Sequence, residues 1–213
     1  MVGRFSRCLR RLNLTPVSAR GLHLRRDNRH PLRPRFGGVF LLVIRMADFL
    51  PAFENVVLNE GGYQLTDIKD DRGGSTYAGI ARKPNPHWPG WSYIDRGQAP
   101  PVSMVRAFYK DEFWDRLRCD EIENEAIAQS LFDFGVNAGW KVSAKLAQVV
   151  LGLTPDGQIG PKSIAEINHA DPSWFKLAFS LAKLARYRDI VTRDRTQGKF
   201  LLGWINRLLK ESI

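Results

Sequence analysis

The feature that most constrains this chain is an amphipathic segment, residues 48–60, that ends in a glutamate followed by two glycines. Its apolar residues recur at helical spacing: Phe49, Phe53, Val56 and Val57. Glu60 lies four residues after Val56, which places its carboxyl on that same apolar stripe. Gly61 and Gly62 then end the helix, because glycine readily adopts the left-handed conformation common at helix C-termini. The pattern predicts an inward-facing acid at a helix end.

An acid in such a position has two interpretations. Removal from water favours the neutral form of a carboxyl group, so apolar neighbours would keep Glu60 protonated as a general acid. Alternatively, Glu60 is a buried cap or an ion-pair partner. The polar, glycine-rich run over residues 67–79 predicts a hairpin or loop lobe. A second carboxylate and a hydroxyl in this run could face Glu60 across a cleft, and glycoside hydrolysis uses such a pair.

Two motifs support the first interpretation. Glu60-Gly61-Gly62-Tyr63 is followed by Asp-Arg-Gly-Gly-Ser-Thr-Tyr-Ala-Gly-Ile over residues 71–80. Together, in this order, they resemble glycoside hydrolase family 108, the lysozyme-like N-acetylmuramidases of phages and bacteria. The resemblance implies that Glu60 is the catalytic acid. The order Glu, Asp, Thr is also similar to phage-type lysozymes, which implies that Asp71 and Thr76 place water or stabilise the developing cation. Asp70 competes with Asp71 for that role.

Four further residues are candidates for substrate binding: Tyr63, Trp88, Trp91 and Asn137. Tyr63 belongs to the first family-like motif. The two tryptophans stand in a proline-rich segment, where their rings either stack on sugars or pin a long loop to the core. Asn137 lies in the family-like segment 132–139, one helical turn after Asp133. This pair either hydrogen-bonds a sugar or satisfies backbone groups between helices.

The remainder of the chain predicts helices. The expected ranges are 102–117, 121–137, 140–153, 172–195 and 200–209, with another helix that opens at Gly160-Pro161. In the long helix the expected inward residues are Phe175, Leu177, Ala178, Leu181, Leu184 and Ile190. The turn and helix start near residue 160 resemble the helical peptidoglycan-binding region that follows the catalytic part in the same family. We therefore expect a catalytic domain over residues 46–137 and a peptidoglycan-binding region over residues 138–213, packed on it.

The formal net charge of +10 resides in residues 1–45, which hold eleven arginines and one acid, Asp27, whereas basic and acidic residues are equal in number afterwards. This leader lacks a hydrophobic period, so we expect disorder. It has three interpretations: a transit peptide, a nucleic-acid-binding arm, or a gene-model artefact with Met46 as the true start. The neutral folded part is not expected to bind nucleic acid.

Composition excludes several classes of protein. The apolar run over residues 39–44 is too short to cross a bilayer, and we expect no membrane span. Cys8 and Cys119 cannot build a disulfide framework. With four histidines and no Cys/His cluster, we expect no metal, and no nucleotide-binding glycine loop points to a cofactor.

The expected fold is mainly α, a lysozyme-like α+β arrangement with a small hairpin lobe. The resemblance implies a monomeric muramidase, made in the cytoplasm of a bacterium or phage-infected cell, that acts on cell-wall peptidoglycan after release. Three alternatives remain open at this point. They are a non-catalytic wall-binding or phage structural protein, a lytic transglycosylase, and a nucleic-acid binder driven by the leader.

Overall fold

The computed structural model describes residues 46–66 and 74–212, which form a mainly helical chain with one small sheet. The helices are α1 Phe49–Asn59, α2 Trp91–Ile94, α3 Val102–Tyr109, α4 Glu125–Ala138, α5 Trp140–Val150, α6 Pro161–His169, α7 Pro172–Arg193 and α8 Leu201–Ser212. A π-helical turn, Lys110–Trp114, continues α3, and 3₁₀ turns occupy Cys119–Glu121 and Arg195–Phe200. The predicted fold class is confirmed. The predictions for residues 1–45, including Cys8, lie outside the described residues.

The sheet is the predicted hairpin lobe. Its strands are β1 Leu65–Thr66, β2 Thr76–Tyr77 and β3 Ile80–Ala81. All neighbours are antiparallel and β2 is central, with Thr76 paired to both Thr66 and Ala81. Because each strand has only two residues, the lobe depends on contacts with the helices for its stability.

Helix α1 begins at a side-chain cap that also ties it to α4. The Asp48 carboxylate accepts a hydrogen bond from the Leu50 N–H at 3.0 Å. The Asp48 N–H donates in turn to Glu125 Oε2 at 2.8 Å, at the first residue of α4. The helix that carries Glu60 is therefore fixed to the central helix at its start.

An aromatic cluster forms the core between α1, α3 and α4. Its fully buried members are Phe53, Tyr109, Trp114 and Phe132. Their rings meet edge to face, with centroids 5.7 Å apart for Phe53 and Tyr109 and 5.4 Å apart for Trp114 and Phe132. This geometry is favourable because the positive edge of one ring meets the negative face of another.

The C-terminal helices pack on the opposite side of α4. Phe134 of α4 meets Phe179 of α7 edge to face at 5.7 Å. Lys183 of α7 is fully buried, donates to Ser130 Oγ at 3.3 Å, and lies 4.8 Å from the centre of the Phe179 ring. Helix α4 is thus shared between the two halves of the molecule.

The long helix α7 buries only part of the predicted face: Phe175 and Ala178 are buried as expected. Its buried residues are Phe175, Ala178, Phe179, Ala182, Lys183 and Tyr187. Leu177 and Leu184 are instead 57% and 40% exposed, so the prediction was wrong for both. The prediction counted only apolar residues at helical spacing. The buried face also includes a lysine and a tyrosine, which such a count omits.

Helix α8 docks on α7 through stacked rings. Tyr187 and Trp204 lie 5.2 Å apart with an interplanar angle of 29°. Leu208, one turn later, is buried as well. In residues 46–66 and 74–212, no helix combines the length and the apolar composition needed for a bilayer span.

A buried amide holds the turn that precedes α6. Gln148 of α5 donates from Nε2 to Asp156 Oδ1 at 2.7 Å and to the Gln158 carbonyl at 2.9 Å. Its Oε1 accepts from the Gly157 N–H at 2.9 Å. The hydrogen bonds from Gln158 and Gln148 lower the pKa of Asp156, so this carboxylate stays charged in the turn.

We predict that Gln148→Ala lowers the free energy of unfolding by about 2–3 kcal/mol, because it leaves the Gly157 N–H buried without an acceptor. Urea unfolding followed by circular dichroism measures this change. Gln158→Ala is the matched control, since this exposed residue uses only its backbone groups in the turn. Equal losses in both variants would contradict the role of the Gln148 side chain.

Candidate active site

The end of α1 fixes the position of Glu60. Glu60 is the C-cap residue, and the next N–H groups fold back, with Gly61 donating to the Leu58 carbonyl at 3.2 Å and Gly62 to the Val57 carbonyl at 2.8 Å. Gly61 has φ +94°, as this pattern of helix termination requires. The predicted end of the helix at the glycine pair is confirmed.

The turn between β2 and β3 lies directly against Glu60. A Cβ atom placed on Gly79 would stand 3.1 Å from the Glu60 Cβ and 2.5 Å from the Tyr109 hydroxyl. Gly79 also has φ +77°, and the preceding Ala78 has φ +48°. Only glycine satisfies both the backbone and the space at this position. The hairpin turn therefore packs against the aliphatic part of the Glu60 side chain so closely that residue 79 can have no side chain.

Tyr109 holds this turn from within the core. Its hydroxyl donates to the Ala78 carbonyl at 2.8 Å. Burial raises the pKa of Tyr109 far above its usual value, and the nearby charge of Glu60 raises it further. The phenol therefore stays neutral and remains a hydrogen-bond donor across the physiological pH range.

Glu60 is only partly shielded, and its neighbours are not all apolar. Its side chain is 27% exposed, and Arg207 of α8 donates from Nη2 to Oε1 at 3.1 Å. With the Asn137 amide oxygen turned towards the guanidinium, Asn137 accepts from Arg207 Nε at 3.1 Å and Nη1 at 2.6 Å. Arg207 thus brings together Glu60 and Asn137, two residues that the sequence singled out separately.

Sequence reasoning missed Arg207. It stands 147 residues after Glu60, in a helix whose apolar pattern indicates only packing. The expectation that apolar neighbours alone surround Glu60 therefore differs from the structure. The structure shows Glu60 as an ion-pair partner of Arg207, and its role as a general acid stays a prediction.

Thr76 and Tyr63 lie on the chain between the end of α1 and the turn that packs against Glu60. Thr76 is half-buried on β2, three residues before Gly79, and its hydroxyl lies 3.4 Å from the Gly74 carbonyl. Tyr63 follows the glycine pair and is 41% exposed, so its ring is accessible to a ligand. Asp71 and its competitor Asp70 lie outside the described residues, and their roles stay predictions.

The two candidate tryptophans are buried. Trp88 and Trp91 are 7% and 3% exposed, so neither offers an open ring face to a sugar. Their indole N–H groups donate to backbone carbonyls, Trp88 to Met104 at 3.4 Å and Trp91 to Asn85 at 2.7 Å. These contacts favour the second interpretation, in which both rings pin the loop to the core.

We predict that Gly79→Ala destabilises the fold more than Gly97→Ala does. Gly97 has φ +71° and open space around it. Gly97→Ala therefore lowers the free energy of unfolding through backbone strain alone, by about 1–2 kcal/mol. Gly79→Ala adds a clash with Tyr109 and Glu60 that costs about 1–3 kcal/mol more. The free energies of unfolding of both variants measure the difference.

Repeating Gly79→Ala in a Tyr109→Phe background separates the steric clash with the hydroxyl from the backbone strain at residue 79. Removal of the hydroxyl creates space for the methyl group that Gly79→Ala introduces, so the excess cost of this substitution should shrink in that background. An unchanged excess would show that the hydroxyl does not limit the approach of the hairpin.

Comparison with known proteins identifies the two halves of the chain. Residues 53–139 match the model of the family Glycosyl hydrolase 108, and residues 142–209 match that of the Predicted Peptidoglycan domain. The structure of Brucella abortus SagA has the same fold, with a TM-score of 0.60 and 23% sequence identity over 77% of this chain and 91% of that chain. No curated protein sequence matches the chain. The resemblance seen in the sequence is confirmed: the chain carries a glycosyl hydrolase 108 domain followed by a predicted peptidoglycan domain, the combination of a peptidoglycan-active hydrolase.

Proposed function

We propose that this protein is an N-acetylmuramidase, which hydrolyses the β-1,4 bond between N-acetylmuramic acid and N-acetylglucosamine in peptidoglycan. The observation that carries the proposal is the position of Glu60 inside the matched hydrolase domain. Its side chain stands at the end of α1, partly exposed, and its Cβ and Cγ atoms lie against the glycine of a hairpin turn. A glycosidic oxygen needs this kind of access to an acid.

The two glycines that follow Glu60 leave the end of α1 free of bulky side chains. A Cβ atom added to Gly61 or Gly62 would meet nothing within 4 Å among the described residues. Gly79 closes the other side without a side chain, and its backbone is exposed. A sugar ring can therefore reach the carboxyl between the helix end and the hairpin.

In the proposed reaction, neutral Glu60 donates its proton to the glycosidic oxygen as the bond breaks. The sugar then carries an oxocarbenium-like charge, which Asp71 stabilises, or for which Asp71 orients water. Thr76 helps to place that water from the hairpin, and Asn137 hydrogen-bonds the sugar. General acid catalysis of this kind contributes about 10²–10⁴-fold to the rate.

Product analysis tests the proposed bond. Purified peptidoglycan is digested, the fragments are reduced with borohydride, and the new ends are identified by mass spectrometry. A muramidase yields reduced muramic acid ends. Glucosaminitol ends would instead indicate cleavage of the other glycosidic bond, anhydro ends would indicate a lytic transglycosylase, and binding without any new ends would indicate a wall-binding protein.

We predict that Glu60→Gln abolishes the clearing of purified cell walls and leaves the fold intact. The amide has the shape of the acid and still accepts from Arg207, but it cannot supply the proton. Turbidity of a wall suspension and the thermal midpoint measure the two effects. Glu54→Gln, an exposed acid on the same helix, is the matched control and should retain activity. Clearing by Glu60→Gln at the parent rate would remove Glu60 from the mechanism.

We predict that Thr76→Ala lowers the turnover number by about tenfold without unfolding the protein, because the water loses one hydrogen-bonding partner. Thr66→Ala is the matched control, since Thr66 is exposed and pairs with Thr76 across the sheet. The initial rate of release of reducing ends measures turnover. Equal rates in both variants and the parent would show that the Thr76 hydroxyl takes no part.

A further inference from the structure

The ion pair between Glu60 and Arg207 conflicts with the proposed role of the acid. A proton donor must be neutral when the glycosidic oxygen reaches it, whereas a guanidinium attracts the charged carboxylate. Arg207 also occupies Oε1, one of the two oxygens that could carry the proton. The pair must therefore open before Glu60 can act.

Arg207 comes from the predicted peptidoglycan domain, not from the hydrolase domain. It lies on α8, within residues 142–209, while Glu60 and Asn137 belong to residues 53–139. Its side chain is 30% exposed, so solvent and a ligand can reach the guanidinium. A ligand held by the C-terminal helices can therefore act directly on the catalytic acid.

A cavity of about 590 Å³ lies beside this contact. It is open to solvent and is lined by α1 and α4 on one side and by α7 and α8 on the other, so both domains build it. Among the described residues, its charged lining consists of the cations Lys176, Arg207 and Lys210 and the acid Asp133. This excess of positive charge favours an anionic ligand.

We propose that a carboxylate carried by the glycan strand enters this cavity and binds Arg207, which thereby releases Glu60 for catalysis. The inference rests on the proposed function, because muramic acid bears the lactyl and peptide carboxyl groups that neutral sugars lack. Arg207 exchanges the Glu60 carboxylate for that of the glycan strand, and Lys176 and Lys210 stabilise the bound ligand. The released Glu60 takes up a proton from hydronium in the solvent and gives it to the glycosidic oxygen, and the water that attacks the sugar returns one proton to the solvent.

The exchange makes hydrolysis depend on substrate charge. On the anionic strand Arg207 is occupied by the substrate and Glu60 is free. On a neutral chitin oligosaccharide nothing competes for Arg207, and the pair with Glu60 persists. The parent enzyme should therefore cleave anionic strands at least about tenfold more efficiently than chitohexaose, a difference that arises from one charge-assisted contact.

The test compares kcat and KM of the full chain on three substrates: peptidoglycan strands with peptides, strands from which an amidase has removed the peptides, and chitohexaose. Arg207→Gln should lower kcat/KM on anionic strands about tenfold and raise kcat on chitohexaose, so that the preference disappears. Arg207→Lys keeps the charge and should retain most of the preference. The peptide-free strands show whether the lactyl or the peptide carboxylate is the ligand.

Matched variants exclude a merely structural effect. Arg193→Gln removes an exposed arginine elsewhere in the C-terminal domain and should leave all three rates unchanged. Lys176→Gln and Lys210→Gln should raise KM on anionic strands, because each removes a cation from the cavity. Equal losses of Arg207→Gln on all substrates, or no change on any, would overturn the inference.

The inference and the proposed function can fail separately. If the parent protein releases no new ends from any glycan, the proposed function fails. If it hydrolyses glycans and the preference for anionic strands is the same in Arg207→Gln, only the role of Arg207 fails.

Discussion

The hydrogen bond from the Tyr109 hydroxyl to the Ala78 carbonyl is the contact on which the site depends. The hairpin lobe has two-residue strands and little core of its own, so its position relative to α1 must come from outside the sheet. Tyr109 supplies it from a ring packed against Phe53 and Phe132 in the aromatic core. Because this hydroxyl is fixed by the packing of the helices, it also fixes the position of the hairpin relative to Glu60.

This arrangement explains why two unusual backbone conformations occur next to each other. Ala78 and Gly79 both have positive φ, and such residues persist where the surrounding contacts determine the conformation. The Ala78 carbonyl is held by Tyr109, and Gly79 is confined between that hydroxyl and Glu60. The strain of the turn is thus located directly beside Glu60.

Much of the helical fold could be predicted from local patterns. The end of α1 at the glycine pair and the start of α6 at Pro161 were predicted correctly, because glycine and proline act on their own backbone. The buried face of α7 was predicted only in part, because burial of Lys183 and Tyr187 depends on neighbours distant in sequence. Lys183 can be buried because its ammonium group donates a hydrogen bond to Ser130 and lies over the aromatic ring of Phe179. The helical period of the sequence does not reveal these contacts.

The site shows the same division. Glu60, Thr76 and Tyr63 could be proposed together as candidates because they lie close together along the chain, in one family-like stretch. Asn137 was recognised as a candidate, but its relation to Glu60 depends on Arg207, which arrives from the far end of the chain. The tryptophans were ambiguous since an aromatic-rich loop has the same composition whether its rings face a ligand or the core.

The shared helix α4 and the guanidinium from α8 have a consequence for the engineering of wall-degrading enzymes. Exchanging the C-terminal domain of such an enzyme for another one would require a cut between the two matched domains. Here that cut would pass through a common core and would remove the guanidinium that pairs with Glu60. A working chimaera would have to preserve the α4 surface and supply a guanidinium at the same point. The two domains would therefore have to be exchanged together.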